Sequence, residues 1–590
     1  MKSLFLSAIG FLLVCCGSLQ LQAQSPVLPH GYAPWELAAM DGYIPERTAI
    51  TGSTEPPVLP VRAAAEWEEI DALMVAWTGF IPTVREIVRH AREECEVLIV
   101  CADSVAVKDD LLANGIELGN ISYVDAPFNS VWIRDYGPWN VYTDQVDSLY
   151  LIDWIYNRPT RPEDDAIPGV IASLTDLPIY QSVEDPWDFV ATGGNFMTDG
   201  LGTGFSSKLI LEENDGTGQS QSFKSEAAID SIMRAFMGID RYIKMETLPY
   251  DEIHHIDMHM KLLDEETLLV GEYPEGVADG PQIEANLQYV LDNYMSPFGT
   301  PYKVVRIPMP PDASGEYPDD GPWWSPGDYR TYTNFVFVNK TVLVPTYEEQ
   351  YDTTALRILD EHLPGYTIVG IDCNDIIQSL GAIHCITKEV ATDDPLLITH
   401  QPLSNTEEQF VDYQVDAQIV HRDGISFANI LYTTVETISA ATIWYNIPMT
   451  LTDPETNTWT GYIPAQAAGK KISYYLRANA SNGKLQYRPI TAPYGYWRFE
   501  VEAVTTGLET VVTDRGTQLA PVPASSSINI TSENIYNHYT ISDFSGRVIQ
   551  QGTVAPASTW SLAVQHIPAG LYLLHLQNSE QQETLQFMKQ

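Results

Sequence analysis

Cys385 and three distant polar clusters are the residues of this sequence best suited to chemistry. The thiol lies in Gly381-Ala-Ile-His-Cys-Ile-Thr-Lys-Glu-Val390, behind the apolar run Tyr366–Ile371 and Ile376-Ile377. A lone cysteine in such a stretch is most often a small core hydrophobe. The clusters Arg134-Asp135-Tyr136-Gly137-Pro138, His255-Ile256-Asp257 and Tyr332-Thr333-Asn334 shift that reading, because each is set inside a strand-like run. A cysteine with His and Asp or Asn partners far away in sequence is the pattern of a thiol nucleophile.

Asp135, His255, Asp257 and Cys385 together suit one electrophile. A guanidinium is planar, cationic and a bidentate donor. Two carboxylates can grip its nitrogens through paired N–H···O bonds and leave its central carbon open to attack. A thiolate can attack there. An imidazole beside the carbon can protonate departing ammonia and then activate a water. On a strand His255 and Asp257 would share one face, since the period is two. Thiol, imidazole, carboxylates and water suffice, so the chemistry calls for no cofactor. A rival reading stays open. His255, Asp257 and His259 also alternate, and two histidines with a carboxylate can hold a metal. That would make the chain a metal-dependent hydrolase, and comparing chelation with iodoacetamide treatment separates the two. A third class is an inactive surface-binding protein displayed by β modules.

Composition limits where these residues can operate. At 590 residues the chain exceeds one ordinary domain, and 44% hydrophobic content is globular. With 32 Lys+Arg against 78 Asp+Glu, the net charge of -46 repels nucleic acid and anionic membranes. Met1–Ala23 reads as a secretory signal: Lys2, the apolar Leu4–Val14, and a cleavage site at Leu21-Gln22-Ala23. Cys15 and Cys16 raise a lipoprotein signal, but Leu13-Val14 is a poor run-up to a lipidated cysteine. No later stretch reaches the roughly 18 apolar residues of a membrane span. Cys95, Cys101, Cys373 and Cys385 remain after the signal. Four in so long a secreted chain make no disulfide framework, and nothing supports a Cys95–Cys101 bridge.

Residues 24–58 are proline-rich without clear period and read as a leader or linker. Ala72–Ala76 then predicts a buried strand, Val84, Ile87, Val88 and Ala91 an amphipathic helix, and Val97–Cys101 the next strand. A helical run follows at Val107–Leu112, and the alternation signals an α/β architecture to about residue 403. The texture then changes. Tyr413, Val415, Ala417 and Ile419 alternate with polar residues, as do Ile472, Tyr474, Leu476 and Ala478. With a turn at Asp453–Asn457 and strands at Trp459–Ile463 and Trp497–Val501, this reads as an immunoglobulin-like β-sandwich. The linker Thr505–Ser527 leads into a last β module. Its marks are the turn Asp543-Phe-Ser-Gly-Arg-Val548 and the strand beginning at Ala569-Gly-Leu-Tyr-Leu-Leu574.

On these motifs the chain resembles the guanidino-group-modifying superfamily. Arg134-Asp-x-Gly-Pro138, His255-x-Asp257, Gly381-x-Ile-His-Cys-Ile-Thr387 and Ala65-Glu-Trp-Glu-Glu69 are similar to signatures of agmatine deiminases and bacterial peptidylarginine deiminases. The resemblance covers roughly 44–403. It implies a five-bladed α/β propeller (the pentein fold) with Cys385 as nucleophile and His255 as acid/base. It implies Asp135 and Asp257 as guanidinium ligands and Asn334 as polar partner of the thiol. Ile155-Tyr-Asn-Arg-Pro159 and Thr192-Gly-Gly-Asn-Phe-Met-Thr-Asp-Gly200 bring the likeness to the Porphyromonas-type peptidylarginine deiminases. Agmatine deiminases usually carry an acidic residue where Thr192 stands. The final module resembles the C-terminal sorting domain of the type IX secretion system of the Bacteroidetes.

The division expected is a signal at 1–23, leader at 24–58, deiminase domain at 59–403, sandwich at 404–503, linker at 504–527 and sorting domain at 528–590. The expected product is citrulline from arginine, preferably peptide C-terminal arginine; the alternative is agmatine deiminase giving N-carbamoylputrescine. Expected partners are arginine-containing peptides or proteins, or a small guanidino compound, together with the secretion machinery. The expected location is the exterior or surface of a Bacteroidetes-like cell. Trp132, Arg158 and Arg161 are expected to line the substrate pocket. Arg161 stands one residue wider than the family's arginine pair, which leaves it facing solvent as an alternative. Arg158 has the bland alternative of pairing with Asp164 or Asp165, and Arg134-Asp135 that of a surface ion pair. The aromatic residue expected shortly before the catalytic histidine is also out of register, with Tyr250 five residues before His255.

Overall fold

A computed structural model describes residues 27–39, 50–216, 222–319, 327–503, 511–512, 516–544, 546–579 and 581–590. The signal read at 1–23 and the middle of the leader lie outside them. The chain divides into two compact units: Met1–Leu403 with Asp412–Pro464 and Ile472–Arg498, and Ser404–Val411 with Ala465–Lys471 and Phe499–Gln590. Among the described residues no helix is long and apolar enough to cross a membrane.

The first unit contains five small sheets built on one plan. A leading strand runs antiparallel to a second, which runs parallel to a third across a helical connection. Trp139–Thr143, Leu149–Tyr156 and Ile179–Ser182 form one such set. Met197–Thr198, Thr203–Ser207 and Arg241–Met245 form another. Met260–Leu262, Thr267–Glu272 and Lys303–Pro308 form the next, then Val336–Val338, Thr341–Thr346 and Thr367–Asp372. In the fifth, Lys388–Ala391 pairs back with Ile70–Ala76, which runs parallel to Glu96–Cys101. Parallel pairs need long crossovers, and helices such as Ile81–Ala91, Glu226–Met237, Gly280–Asn293 and Glu349–His362 supply them.

Local sequence accounts for these elements. Leu73, Met74, Val75 and Ala76 are fully buried, as a strand covered on both faces requires. Val84, Ile87, Val88 and Ala91 are fully buried on the inner stripe of their helix. Each branched side chain there contributes about 1.5–3 kcal/mol. The helices Ile81–Ala91 and Ser104–Ala113 and the strand Glu96–Cys101 lie where the periodicity places them. The four described cysteines are free, Cys95 and Cys101 included.

The polar clusters do not sit within strands. Asp135 is on the one-turn helix Ile133–Tyr136, which ends before Gly137-Pro138, where proline offers no N–H to continue it. Asp257 lies on the 3-10 turn Ile256–Met258 with His255 just before it, and Cys385 on the 3-10 turn His384–Ile386. Asn334 ends the loop before Val336–Val338. Every residue from His255 to His259 is buried, so alternating residue types there mark no inner and outer face. The turns that enter the leading strands of the sheets thus carry the candidate chemistry.

The proline-rich leader also departs from expectation, because Pro34–Ala39 is a helix. Its pattern is inverted. Ala33 and Glu36 are buried while Trp35 and Leu37 are 53% and 58% exposed, so no apolar period betrays it.

Still within the first unit, Leu397–Thr399, Tyr413–Val420, Thr458–Ile463 and Thr450–Asp453 form one antiparallel sheet, and Tyr445–Pro448, Ile425–Thr433, Lys471–Ala480 and Leu485–Arg488 another. Val415, Ala417, Ile472, Tyr474, Leu476 and Ala478 point into the core, as their alternation predicts. Lys484 and Arg488 form ion pairs with Glu69 and Glu265. In the second unit, strands from Val511 to Lys589 form two four-stranded sheets around Leu519, Ile530, Ile541, Leu574 and Phe587.

Candidate active site

Cys385 is fully buried, and Asn334 Nδ2 donates to its Sγ at 3.2 Å. Asn334 Oδ1 accepts from His384 N at 3.1 Å, so one amide positions both the thiol and its turn. Asp257 Oδ2 lies 3.7 Å from the sulfur. Burial, then the charges of Asp257 and Asp135, push the Cys385 thiol well above its ordinary value.

Asp257 is held from behind. His384 Nδ1 meets Asp257 Oδ2 at 2.7 Å, and His384 Nε2 meets Glu66 Oε1 at 3.0 Å. Glu66 Oε2 in turn accepts from Lys261 Nζ at 2.6 Å. Burial would raise the Asp257 carboxyl, but His384 outweighs it and holds the group below the usual range. Asp257 Oδ1 is buried and has no hydrogen-bond partner among the described residues. A buried, charged oxygen without a donor is an acceptor awaiting one.

Asp135 Oδ1 accepts from Thr192 Oγ1 at 2.8 Å and from Gly194 N at 3.2 Å. Its Oδ2 lies 2.5 Å from His30 Nε2. Burial opposes ionisation, yet His30 and His255 hold this carboxyl below the usual range. Thr192 Oγ1, having donated its hydrogen to Asp135, lies 3.2 Å from His255 Nε2 and can accept from it. That leaves Nδ1 as the basic nitrogen of a neutral ring, without a hydrogen-bond partner among the described residues and 3.7 Å from Asp135 Oδ1. Burial, against the pull of Asp135, lowers the His255 pKa to about 4.

The paired glycines make this packing possible. A β-carbon on Gly194 would stand 2.5 Å from His255 Nδ1, 3.1 Å from Asp135 Oδ1 and 3.3 Å from Asp257 Oδ2. One on Gly193 would stand 2.0 Å from Arg134 O. Arg134 is no surface residue. Fully buried, it pairs with Glu389 and donates from Nε to His384 O at 3.2 Å.

Three expected pocket residues meet one segment of the chain, residues 27–39. Trp132 stacks on the His30 ring at 4.3 Å and 6°. Arg158 donates to His30 O from Nε and Nη2, at 3.2 and 3.1 Å, and lies over the Tyr32 ring. It does not take the bland alternative of pairing with Asp164, whose carboxylate accepts from Asn129 and Ser130. Arg161 does not face solvent. It is fully buried and grips Glu36 through two bonds of 2.8 Å. The wider spacing places it on the N-cap of the short helix Pro162–Asp165, with its side chain turned inward to a carboxylate.

The metal reading is not assembled as expected. Among the described residues, donor sets within 4.8 Å are His30–Asp135–His255 and Asp394–His421–Asp423. Positions two and four apart fan out around a 3-10 turn instead of aligning, and His259 joins neither set. Glu66 and His384 lie inside quoted motifs, but their pairing spans 318 residues and leaves no local signal. His30 and Glu36 have no sequence signal at all.

Residues 62–390, more than half the chain, match the family model described as Porphyromonas-type peptidyl-arginine deiminase. Residues 518–590 match the secretion system C-terminal sorting domain. A Vibrio parahaemolyticus protein provisionally named agmatine deiminase is 24% identical over 354 residues, covering 55% of this chain and 95% of the relative. A Porphyromonas gingivalis structure provisionally titled arginine deiminase is 22% identical, covers 56% of this chain and 99% of its own, and has a TM-score of 0.49. Another solved structure, provisionally titled agmatine deiminase, reaches a TM-score of 0.50 at 19% identity, over 59% of this chain and all of its own. That last likeness speaks to the α/β fold alone.

Proposed function

The chain belongs to the Porphyromonas-type peptidyl-arginine deiminase family, and on that premise we propose that it converts arginine, preferably at a peptide C-terminus, to citrulline and ammonia. Its sorting domain makes it a protein exported to the surface or exterior of a Bacteroidetes-like cell. The observation that carries the chemical reading is the unpartnered Asp257 Oδ1 beside the Cys385 thiol.

In this reading Asp135 and Asp257 hold the guanidinium and Asn334 orients the sulfur. The Cys385 thiolate attacks the guanidinium carbon and forms a C–S bond. The proton that left the thiol is carried by His255, neutral at rest, and passes to the departing nitrogen, which leaves as ammonia. His255 then takes a proton from a water as that water attacks the same carbon. The C–S bond breaks, the proton returns to the sulfur, and a ureido group remains. Glu66, His384 and Lys261 keep the Asp257 carboxylate in place. No step calls for a cofactor.

The finer architecture belongs to the same proposal. Five sheets of one plan, each entered by a turn that faces the site, fit a five-bladed propeller with its chemistry at the axis. Residues 404–503 serve as an immunoglobulin-like support and 528–590 as the address. Arg158 and Arg161 favour a substrate carrying a carboxylate. The rival substrate is agmatine, for which relatives are named. Ammonia and citrulline or carbamoyl product are measured with C-terminal arginine peptides, their amides, internal arginine and agmatine, with Cys385→Ala as the blank. Turnover of agmatine alone would overturn the peptide reading.

A further inference from the structure

Residues 27–39 occupy the site with groups that copy a substrate. The His30 ring is fully buried, with Nε2 2.5 Å from Asp135 Oδ2 and Nδ1 2.7 Å from Leu380 O. Both ring nitrogens face acceptors, so a doubly protonated ring satisfies both. That ring is planar, cationic and a donor at two edges, as a guanidinium is. It lies flat on Trp132 and edge-on to His255 at 4.9 Å.

The backbone around His30 is also gripped. Trp132 Nε1 donates to Leu28 O at 3.0 Å, and Arg161 Nη2 to Pro29 O at 2.9 Å and Gly31 O at 2.8 Å. Arg158 holds His30 O, the atom that in a C-terminal residue would be one carboxylate oxygen. The Glu36 carboxylate, steadied by Ala33 N at 2.7 Å, neutralises Arg161. Four successive peptide carbonyls thus meet side chains of the site. An amine such as agmatine has none to offer.

The segment is suited to leave. It buries its imidazole and carboxylate and exposes Val27, Trp35 and Leu37 by about half, as 47%, 53% and 58%. Its attachment to the site is largely polar, and a competing peptide can replace each contact in kind.

We propose that residues 27–39 are a built-in pseudosubstrate: His30 stands for the substrate's arginine on Asp135 and Trp132, its carbonyl stands for the terminal carboxylate on Arg158, Glu36 occupies Arg161, and the enzyme stays latent until the segment leaves. The inference rests on the deiminase reading above and deepens it, because a site filled by a peptide backbone is a site for peptides.

Labelling of Cys385 tests occlusion without requiring turnover. A chain starting at Gln24 is treated with 2-chloroacetamidine, a planar cationic alkylating agent, and the label is located by mass spectrometry. Compared with the parent, His30→Ala/Glu36→Gln is expected to label at Cys385 at least tenfold faster and to turn over C-terminal arginine peptide faster. Added peptide of sequence 27–39 should slow both again. Buried Cys95, Cys101 and Cys373 are the internal controls. A second chain carries a specific protease site in place of residues 41–46, so that the segment can be cut from folded protein if the double variant does not fold. Equal labelling of Cys385 before and after release overturns the pseudosubstrate. Faster labelling with no deimination of any arginine compound upholds occlusion and overturns the deiminase reading instead.

Discussion

Arg134 and Glu389 form a buried ion pair, Nη2 to Oε2 at 2.8 Å, that ties the turn of Asp135 to the strand after Cys385. Removing one partner strands a buried charge, at a cost of about 3–5 kcal/mol. Glu389→Ala should therefore lower the melting temperature sharply and reduce activity with it. Burial pushes the Glu389 carboxyl up, but Arg134 and Lys388 bring it down to about 2. A depressed carboxyl stabilises the fold above the unfolded value of about 4.3 and loses that contribution as pH falls through the folded value. Melting curves from pH 5 downward should show the parent losing more stability than Glu389→Gln. Parallel curves would contradict the assignment.

Cys385→Ala should lower deimination by roughly ten-thousand-fold or more, the scale lost with a covalent nucleophile. Stability should change by about 1 kcal/mol, the scale of a small buried truncation. Both are read on chains with and without residues 27–39 in place. Substantial turnover by the alanine variant would remove the covalent route.

The pH profile follows from the same thiol. The thiolate attacks, and the pKa of Cys385 is raised, so the reactive fraction grows as pH rises. A bound guanidinium cancels the charges of Asp135 and Asp257 and favours ionisation. His255, at about 4, stays neutral over this range and adds no acidic limb near neutrality. Turnover should climb from neutral into alkaline pH. A maximum below about pH 6, or full alkylation of free enzyme in acid, would be inconsistent with the raised thiol.

Gly194→Ala introduces a β-carbon into the space of His255 Nδ1 and the two carboxylates. Their displacement should cost about a hundred-fold in turnover, as small misplacements at reacting centres do. The measurement is kcat beside a thermal melt. An active Gly194→Ala enzyme would mean that the site tolerates looser geometry than its packing indicates.

Arg158→Ala should erase most of the preference for a free-acid peptide over its amide. A charge-assisted contact contributes about 1.5–3 kcal/mol, or roughly ten- to a hundred-fold. The acid-to-amide ratio of kcat/KM, taken in parent and variant after removal of residues 27–39, isolates this term. Equal rates for acid and amide in the parent would remove the carboxylate clamp and favour agmatine.

Sequence legibility follows physical range. Strands such as Glu96–Cys101 and helices such as Ile81–Ala91 announce themselves, because burial on one or both faces imposes a period. Cys385, Asp135, His255, Asp257 and Asn334 are visible as polar types in apolar settings. The turns that carry them were hidden, because everything around His255–His259 is buried and alternation there has no outside. The Glu66–His384 and Glu36–Arg161 pairs were hidden for another reason. They join residues 318 and 125 positions apart, and no local pattern records such a distance. Pro34–Ala39 inverts the usual rule, since its inward face is polar.

Cys385 enters Lys388–Ala391, a strand whose partner is Ile70–Ala76 near the other end of the same fold. The thiol is therefore set in place only when the last-made part of the catalytic chain returns to the first-made part. A ribosome-bound fragment that stops short of residue 391 has no nucleophile in register, however well its early sheets have formed. Order of synthesis thus withholds reactivity until the catalytic part of the chain is complete, before any folded-state restraint can act.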